Sequence, residues 1–476
     1  MSKSVLHDGD EDSSLITKNK KPNRTTAAET RSPVHVVYGG AHLFKSDTPE
    51  KLGRIALQSL KTYALNFVEF ADAIWLRGAE TLPRLPKAIA ALETELTKDA
   101  RKIRAENFPA WFAWTVYQRT INKLQTEPVE DYRIDFEDGY GFRMDEEEDA
   151  HAISASSELA KSFLNNKITR FSGFRIKSFA PETLERATRT LKLFLNNFLK
   201  KTGGALPENF AVTLPKVSNK NEVKKLCDFL KRIEKKAHLQ PGAIKIEIMI
   251  ETPLAIIDEK GRSALTSLVE AAKGRCTSAH FGAYDYTAAL GISATHQHLR
   301  HDACKFARQM ILAALAPMGI RLSDSVTTEM PIAVHKGEEL PQAQLNENKR
   351  AVHIAWRTHF NNITKSMIDG FYQSWDLHPN QLVPRFAAVY AFFLEAKDVQ
   401  SARLRGFIEK ATQASLTGNT FDDAASAQGL MNFFRRAVDC GALTESEVIE
   451  STGLSPEDLR SVSFMELMQR RRQSNG

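Results

Sequence analysis

The sequence predicts an α/β fold, a (β/α)8 TIM barrel carrying a helical insert after its first helix and a helical C-terminal extension. Three observations carry this expectation. Short β-rich apolar runs alternate with amphipathic helical stretches from about residue 32 onward, the sign of a parallel sheet built from βα units. Eight such runs occur, the number that closes a barrel. Several of them end in a charged or polar residue followed by Gly, Pro or a turn, at a spacing of about one βα unit.

Residues 1–31 are polar, charged and aperiodic, and are expected to form a disordered tail. The barrel should occupy 32–385, with strands at 35–38, 132–136, 173–178, 210–214, 244–250, 278–282, 322–327 and 370–375. Helix starts are readable between them, at Thr48 before Pro49, Ala180 before Pro181, and Ser218 before Lys220. Residues 65–128 interrupt the pattern after helix 1 and read as two or three helices, such as 85–103 and 110–124. This insert is either a lid over the mouth or a helical group on the outside or bottom of the barrel; its exit on the strand-start side favours the second. Its apolar positions Ile89, Leu92, Leu96, Trp111 and Trp114 require burial in both cases. The extension, 386–476, is helical again, with a short late helix opening at Ser455.

The composition, 42% hydrophobic and 26% charged, is that of an ordinary globular chain. No apolar run approaches the roughly 18 residues that span a bilayer, and no apolar leader precedes a cleavage site. The expectation is a cytoplasmic protein without membrane association. Four scattered cysteines, Cys227, Cys276, Cys304 and Cys440, lack CxxC pairing and read as reduced, buried thiols. The net charge of +6 is spread along amphipathic helices, with one short basic cluster at 470–472 and no zinc-finger, RNP or P-loop signature. No nucleic-acid partner is expected; a mildly basic surface suits anionic substrates.

The strand-end residues carry the chemistry. Asp138, Arg175, Lys216, Glu251 and Asp285 follow one another at intervals of 34 to 41 residues. In a barrel they converge at the C-terminal mouth, where such folds place their active sites. Glu251 and Asp285, on adjacent strands, are hard oxygen donors able to hold Mg²⁺ or Mn²⁺ together with waters and substrate oxygens. No His or Cys joins them, which argues against zinc. Asp135, Glu137 and Asp138 add carboxylates suited to orienting metal-bound water. Arg175 offers a planar fork to a substrate carboxylate or an enolate oxygen. A metal and an arginine fixed where negative charge develops are what an enolate requires.

The segments IDFEDG (134–139), GFRIKSF (173–179), VTLPKV (212–217), IMIETPLAI (248–256), HFGAYDYTAALG (280–291) and DLHPNQL (376–382) resemble, in order, those of the HpcH/HpaI aldolase and citrate lyase β-subunit family of the phosphoenolpyruvate/pyruvate barrel superfamily. The resemblance implies Glu251 and Asp285 as Mg²⁺ ligands and Arg175 as the substrate-binding arginine. It implies Gly282 and Ala283 as backbone at the substrate cleft, and Lys216 as a mouth lysine or a structural ion pair. Free 2-oxo-acid aldolases of the family carry a His after the D-x-E of strand 2. Here Asp138 stands in that place, as in the citrate-lyase and malyl-CoA-lyase-like branch. Asp138 or His42, the latter just after strand 1, is the expected proton carrier; His42 read alone is equally a structural loop residue. The chain departs from the family at 371–379, where its usual lysine is missing and Trp375 with Asp376 changes this wall of the cleft, in the 65–128 insert, and in an extension unlike the family's small lid.

The expected activity is a Mg²⁺-dependent carbon–carbon lyase or aldolase acting through a metal-stabilised enolate on a hydroxy acid or its coenzyme A thioester, in a homo-oligomer. The alternatives are an enzyme converting phosphoenolpyruvate and a catalytically silent metabolite-binding barrel.

Overall fold

In the computed structural model, residues 31–416, 424–461 and 463–474 are described; the 1–31 tail, Arg31 excepted, lies outside them. Eight parallel strands close a barrel in the order β1 to β8. They are β1 (His35–Gly40), β2 (Asp131–Asp135), β3 (Phe171–Arg175), β4 (Asn209–Leu214), β5 (Lys245–Ile250), β6 (Cys276–Phe281), β7 (Arg321–Val326) and β8 (Gln373–Asp376). All eight expected strands are present, with their ends within three residues of those expected.

Alternation along each strand sorts side chains between two environments. The outward set, including Ile134, Phe174, Val212, Ile246, Ile248 and Phe281, joins the main apolar core with the surrounding helices. Phe174 stacks on Phe194 of the helix Leu184–Lys201 at 4.0 Å. The inward set is mostly polar. Glu247 on β5 sits at its centre, taking hydrogen bonds from the Tyr38 and Thr213 hydroxyls at 2.9 and 2.8 Å, with the Arg133 guanidinium 3.3 Å away. His280 lies 2.8 Å from Glu247 and 2.9 Å from the Tyr38 hydroxyl. Gly173 makes room for this layer, since a Cβ there would meet the Ala211 carbonyl oxygen at 1.9 Å and an Arg133 nitrogen at 2.6 Å. Above it Val36, Tyr38, Met249, Val326 and Trp375 form a small separate apolar cluster.

Two of the three expected helix starts hold to within a residue. The helix Lys220–Lys236 is capped by Asn219, not Ser218. The expected start at Ala180 moves to Leu184, because 181–183 form a turn first. The first helix, Thr48–Tyr63, follows Asp47. The insert holds four helices, Phe67–Ala73, Pro86–Lys98, Ala100–Glu106 and Phe108–Thr126. The single helix expected over 85–103 is broken at Asp99, whose side chain accepts the Lys102 N–H and restarts the chain as a new helix.

The insert lies on the barrel's outer side. Its helix Phe108–Thr126 contacts Thr48–Tyr63 and, most extensively, the long helix Leu382–Leu416 that opens the extension. Leu96 and Trp111 are buried there, with Ile89, Leu92 and Trp114 packed partly against the same core. Arg119 binds the Ala442 carbonyl and pairs with Glu447 at 2.7 Å, fastening insert to extension. The lid reading of the insert therefore fails: no residue of 65–128 lines the mouth cavity. The late helix Pro456–Arg460 begins, as expected, at Ser455, with a capping box to Asp458. All four cysteines are free and buried, and no helix among the described residues is long and apolar enough to cross a membrane.

Candidate active site

A cavity of about 190 Å³ opens at the C-terminal ends of the strands. Asp135, Asp138, Arg175, Glu251, Gly282, Ala283 and Asp285 line it, with Tyr38, Ser325 and Trp375. Seven of the ten residues singled out from sequence thus share one space. Of the others, Glu137 and Lys216 bond to its rim. His42 stands apart, in the single turn Ala41–Leu43, with its ring against Tyr140 and His151 at 5.6 and 6.1 Å.

Asp135 and Arg175 end paired strands in register. The Arg175 Nε donates to Asp135 Oδ1 at 2.7 Å and its Nη2 to Oδ2 at 2.6 Å. The same two oxygens accept the backbone N–H groups of Glu137 at 2.9 Å and Gly139 at 2.7 Å. Asp135 is thereby fully engaged, and it holds the arginine instead of holding water. The Arg175 carbon lies 5.0 Å over the Tyr38 ring, a cation–π floor. The Nη1 end makes only long contacts, 3.3 Å to Glu137, 3.4 Å to Asp138 and 3.5 Å to the Met249 sulfur. That end is the one available to a ligand.

Glu251, following β5, is 1% exposed. Its Oε1 accepts the Lys216 N–H at 2.6 Å, a bond made possible by the left-handed backbone of Lys216, φ +50°. Asp285, in the first turn of the helix Ala283–Ala289, stands beside it. Burial and the neighbouring Asp285 charge push the Glu251 pKa up to about 8, and burial raises that of Asp285. A buried carboxyl beside a second one resists ionisation, and a cation shared between them would relieve it. Gly282 lets Glu251 approach the backbone, since a Cβ there would meet Glu251 Oε2 at 2.4 Å.

Lys216 reaches Glu137 at 2.5 Å, Asp138 at 2.9 Å and Asp285 at 3.9 Å, so its ammonium bridges acids from two segments, those after β2 and after β6. Burial, with Asp138 alongside, raises the Glu137 pKa to about 7. Burial opposes the charge on Asp138 too, but a hydrogen bond to Glu137 and the nearby Arg175 and Lys216 outweigh it and hold its pKa low. No group of three or more His, Cys, Asp or Glu side chains forms a metal cage among the described residues. A carboxylate pair with open coordination positions fits a hard, water-retaining cation such as Mg²⁺.

Tyr38, Met249 and Ser325 were not picked out from the sequence. Ser325 accepts the Ala283 N–H at 3.0 Å and fixes the turn that carries Asp285. The signal for Tyr38 was parity, an inward position on its strand beside Trp375. Asp376, next to Trp375, points outward and is bound by His35, His359 and Arg385 at 2.7 to 3.1 Å. It ties β8 to the helices, and only Trp375 forms the cleft wall expected of the two.

Solved structures similar to the chain include a citrate lyase from Burkholderia xenovorans LB400, 19% identical over 70% of this chain and 91% of that one, TM-score 0.48. A Haloferax volcanii malate synthase magnesium/glyoxylate complex is 14% identical over 72% and 88%, TM-score 0.40. A Mycobacterium tuberculosis (M. tuberculosis) citrate lyase beta subunit complexed with oxaloacetate and magnesium is 16% identical over 58% and 93%, TM-score 0.35. No curated protein matches the chain. The family described as Domain of unknown function (DUF6986) matches residues 19–467, taking in barrel, insert and extension alike, and the chain belongs to it.

Proposed function

We propose that this chain is a Mg²⁺- or Mn²⁺-dependent carbon–carbon lyase that cleaves or forms a bond beside a carboxylate, on a small hydroxy acid or its coenzyme A thioester. One observation carries this reading: the Glu251–Asp285 pair and the free end of Arg175 face each other across one small cavity. Its volume of about 190 Å³ suits a carboxylate of a few carbons; a larger thioester group has to extend outward through the mouth.

Glu251 and Asp285 would hold the cation, which when bound supplies a Lewis acid for substrate carboxylate and carbonyl oxygens. Arg175 Nη1 binds the remaining substrate oxygen and stabilises negative charge developing on it. Tyr38 and Asp135 keep that guanidinium fixed, so no reorganisation is needed as charge develops. Trp375, Val326 and Tyr38 exclude water from the reacting carbons. Asp138 is the proton carrier in the cavity, with Glu137 behind it able to exchange a proton near neutrality. His42, outside the cavity, keeps a structural part through Tyr140 and His151.

Assay of the purified chain against malyl- and citramalyl-thioesters, pyruvate with aldehydes, and phosphoenolpyruvate tests the proposal. Metal-dependent carbon–carbon cleavage or condensation is the expected result. Turnover of phosphoenolpyruvate alone, or turnover unaffected by excess chelator, would overturn it.

A further inference from the structure

A second cavity, of about 550 Å³, lies far from the barrel mouth, between the insert and the C-terminal extension. Its wall combines Arg101, Arg104, Lys397 and Arg405 with Asp398, Glu447 and Glu450. The acids already have cations. Asp398 pairs with Arg104 at 2.5 Å, Glu447 with Arg119 at 2.7 Å, and Glu450 with Arg101 at 3.6 Å. Arg405 donates to the Ser451 carbonyl.

Lys397 is left over. It is 7% exposed, yet it forms no hydrogen bond or ion pair with any described residue. The Arg104 Nε is likewise buried without a hydrogen-bond partner. Burial of an ammonium outside ion-pair reach of an acid costs free energy; burial lowers the Lys397 pKa, with Arg104 and Arg119 adding to it, against the pull of Glu447 and Asp398. An anion in this cavity would meet an unpaired ammonium together with guanidinium groups that match phosphate oxygens. Phe108, in the same wall, offers an apolar surface to the body of a molecule larger than phosphate itself, while the Trp111 ring carries the Arg104 guanidinium at 4.7 Å.

We propose that this cavity binds a phosphorylated small molecule, at a site separate from the barrel mouth and built jointly by insert and extension.

The test is calorimetric titration of inorganic phosphate into the full-length chain in low-chloride buffer at neutral pH. Saturable binding is expected, weakened about tenfold or more in Lys397→Met. Arg405→Gln should weaken it severalfold; Arg405 is exposed, so this variant decides the matter if Lys397→Met does not fold. Phosphate should also raise the melting temperature of the unaltered chain, by mass action on the folded state. Arg175→Lys, altered at the barrel mouth, should keep the unaltered affinity. Absence of saturable binding at millimolar phosphate, equal affinity in the Lys397 and Arg405 variants, or loss of binding in Arg175→Lys would each overturn the proposal.

Discussion

Asp135 grips Arg175 edge-on, with Nε and Nη2 each within 2.7 Å of a separate carboxylate oxygen. The pair is almost wholly buried. The guanidinium plane is thus set by β2 before any ligand arrives. Asp135→Asn removes one charged acceptor and lets the plane turn. The expected loss in kcat/KM is about 2–3 kcal/mol, the worth of a hydrogen bond between charged groups. Arg175→Lys keeps the charge but loses the edge, and should cost about 2–4 kcal/mol. Steady-state kinetics on folded variants check both; a change under about threefold in either would make the pair merely structural.

Metal dependence should reside in Glu251 and Asp285. Glu251→Gln or Asp285→Asn is expected to abolish the response of activity to Mg²⁺ while leaving the far-ultraviolet circular dichroism intact, since both side chains sit at the mouth. In the unaltered chain, chelator should remove activity and added Mg²⁺ or Mn²⁺ should restore it. Full activity in either variant would refute the assignment.

Gly282 makes a steric prediction that is independent of charge. In Gly282→Ala the added methyl group overlaps Glu251 Oε2 and lies 2.6 Å from its Cβ. The carboxylate must swing away, so Mn²⁺ affinity measured by calorimetry should fall at least tenfold with little change in melting temperature. Unaltered Mn²⁺ binding would show that Glu251 does not need its present position.

The pH dependence of stability should be governed in part by Glu130, outside the mouth. Burial alone would raise its pKa, but Lys123 at 2.6 Å and Arg31 pull it from 4.5 down to about 2. A carboxyl group with a depressed folded pKa stabilises the fold fully above its unfolded value. That contribution is lost as the pH falls from about 4.5 toward 2. The shift corresponds to roughly 3 kcal/mol. Urea unfolding between pH 6 and 3 should show a steep loss that Glu130→Gln flattens; parallel profiles for the two proteins would disprove the linkage.

Strand-end polarity at a βα spacing was legible because it is one-dimensional: Arg175, Glu251 and Asp285 each close an apolar run. The same reading placed all eight strands. What it missed lies across the barrel. Nothing in the sequence says that Asp135 spends both oxygens on Arg175, because that depends on the register of β2 against β3. His42 looked like a mouth residue from its position after β1, but the turn Ala41–Leu43 directs it toward Tyr140. The break at Asp99 was hidden by continuous apolar periodicity, which a capping side chain overrode.

The fastening of Arg119 to Ala442 and Glu447 also sets an order of events during synthesis. Every strand of the barrel has been made by residue 376, yet the helix Phe108–Thr126 still lacks its most extensive partner, the helix Leu382–Leu416. Arg119 precedes its Ala442 acceptor by 323 residues. At roughly 5–20 residues per second, that wait is about 16–65 s. Over the last part of this interval, from residue 376 to 442, the nascent chain carries all eight strands and a helix whose face toward the extension is not yet fully covered, a state in which chaperones and other chains compete for the surface that the extension is destined to cover.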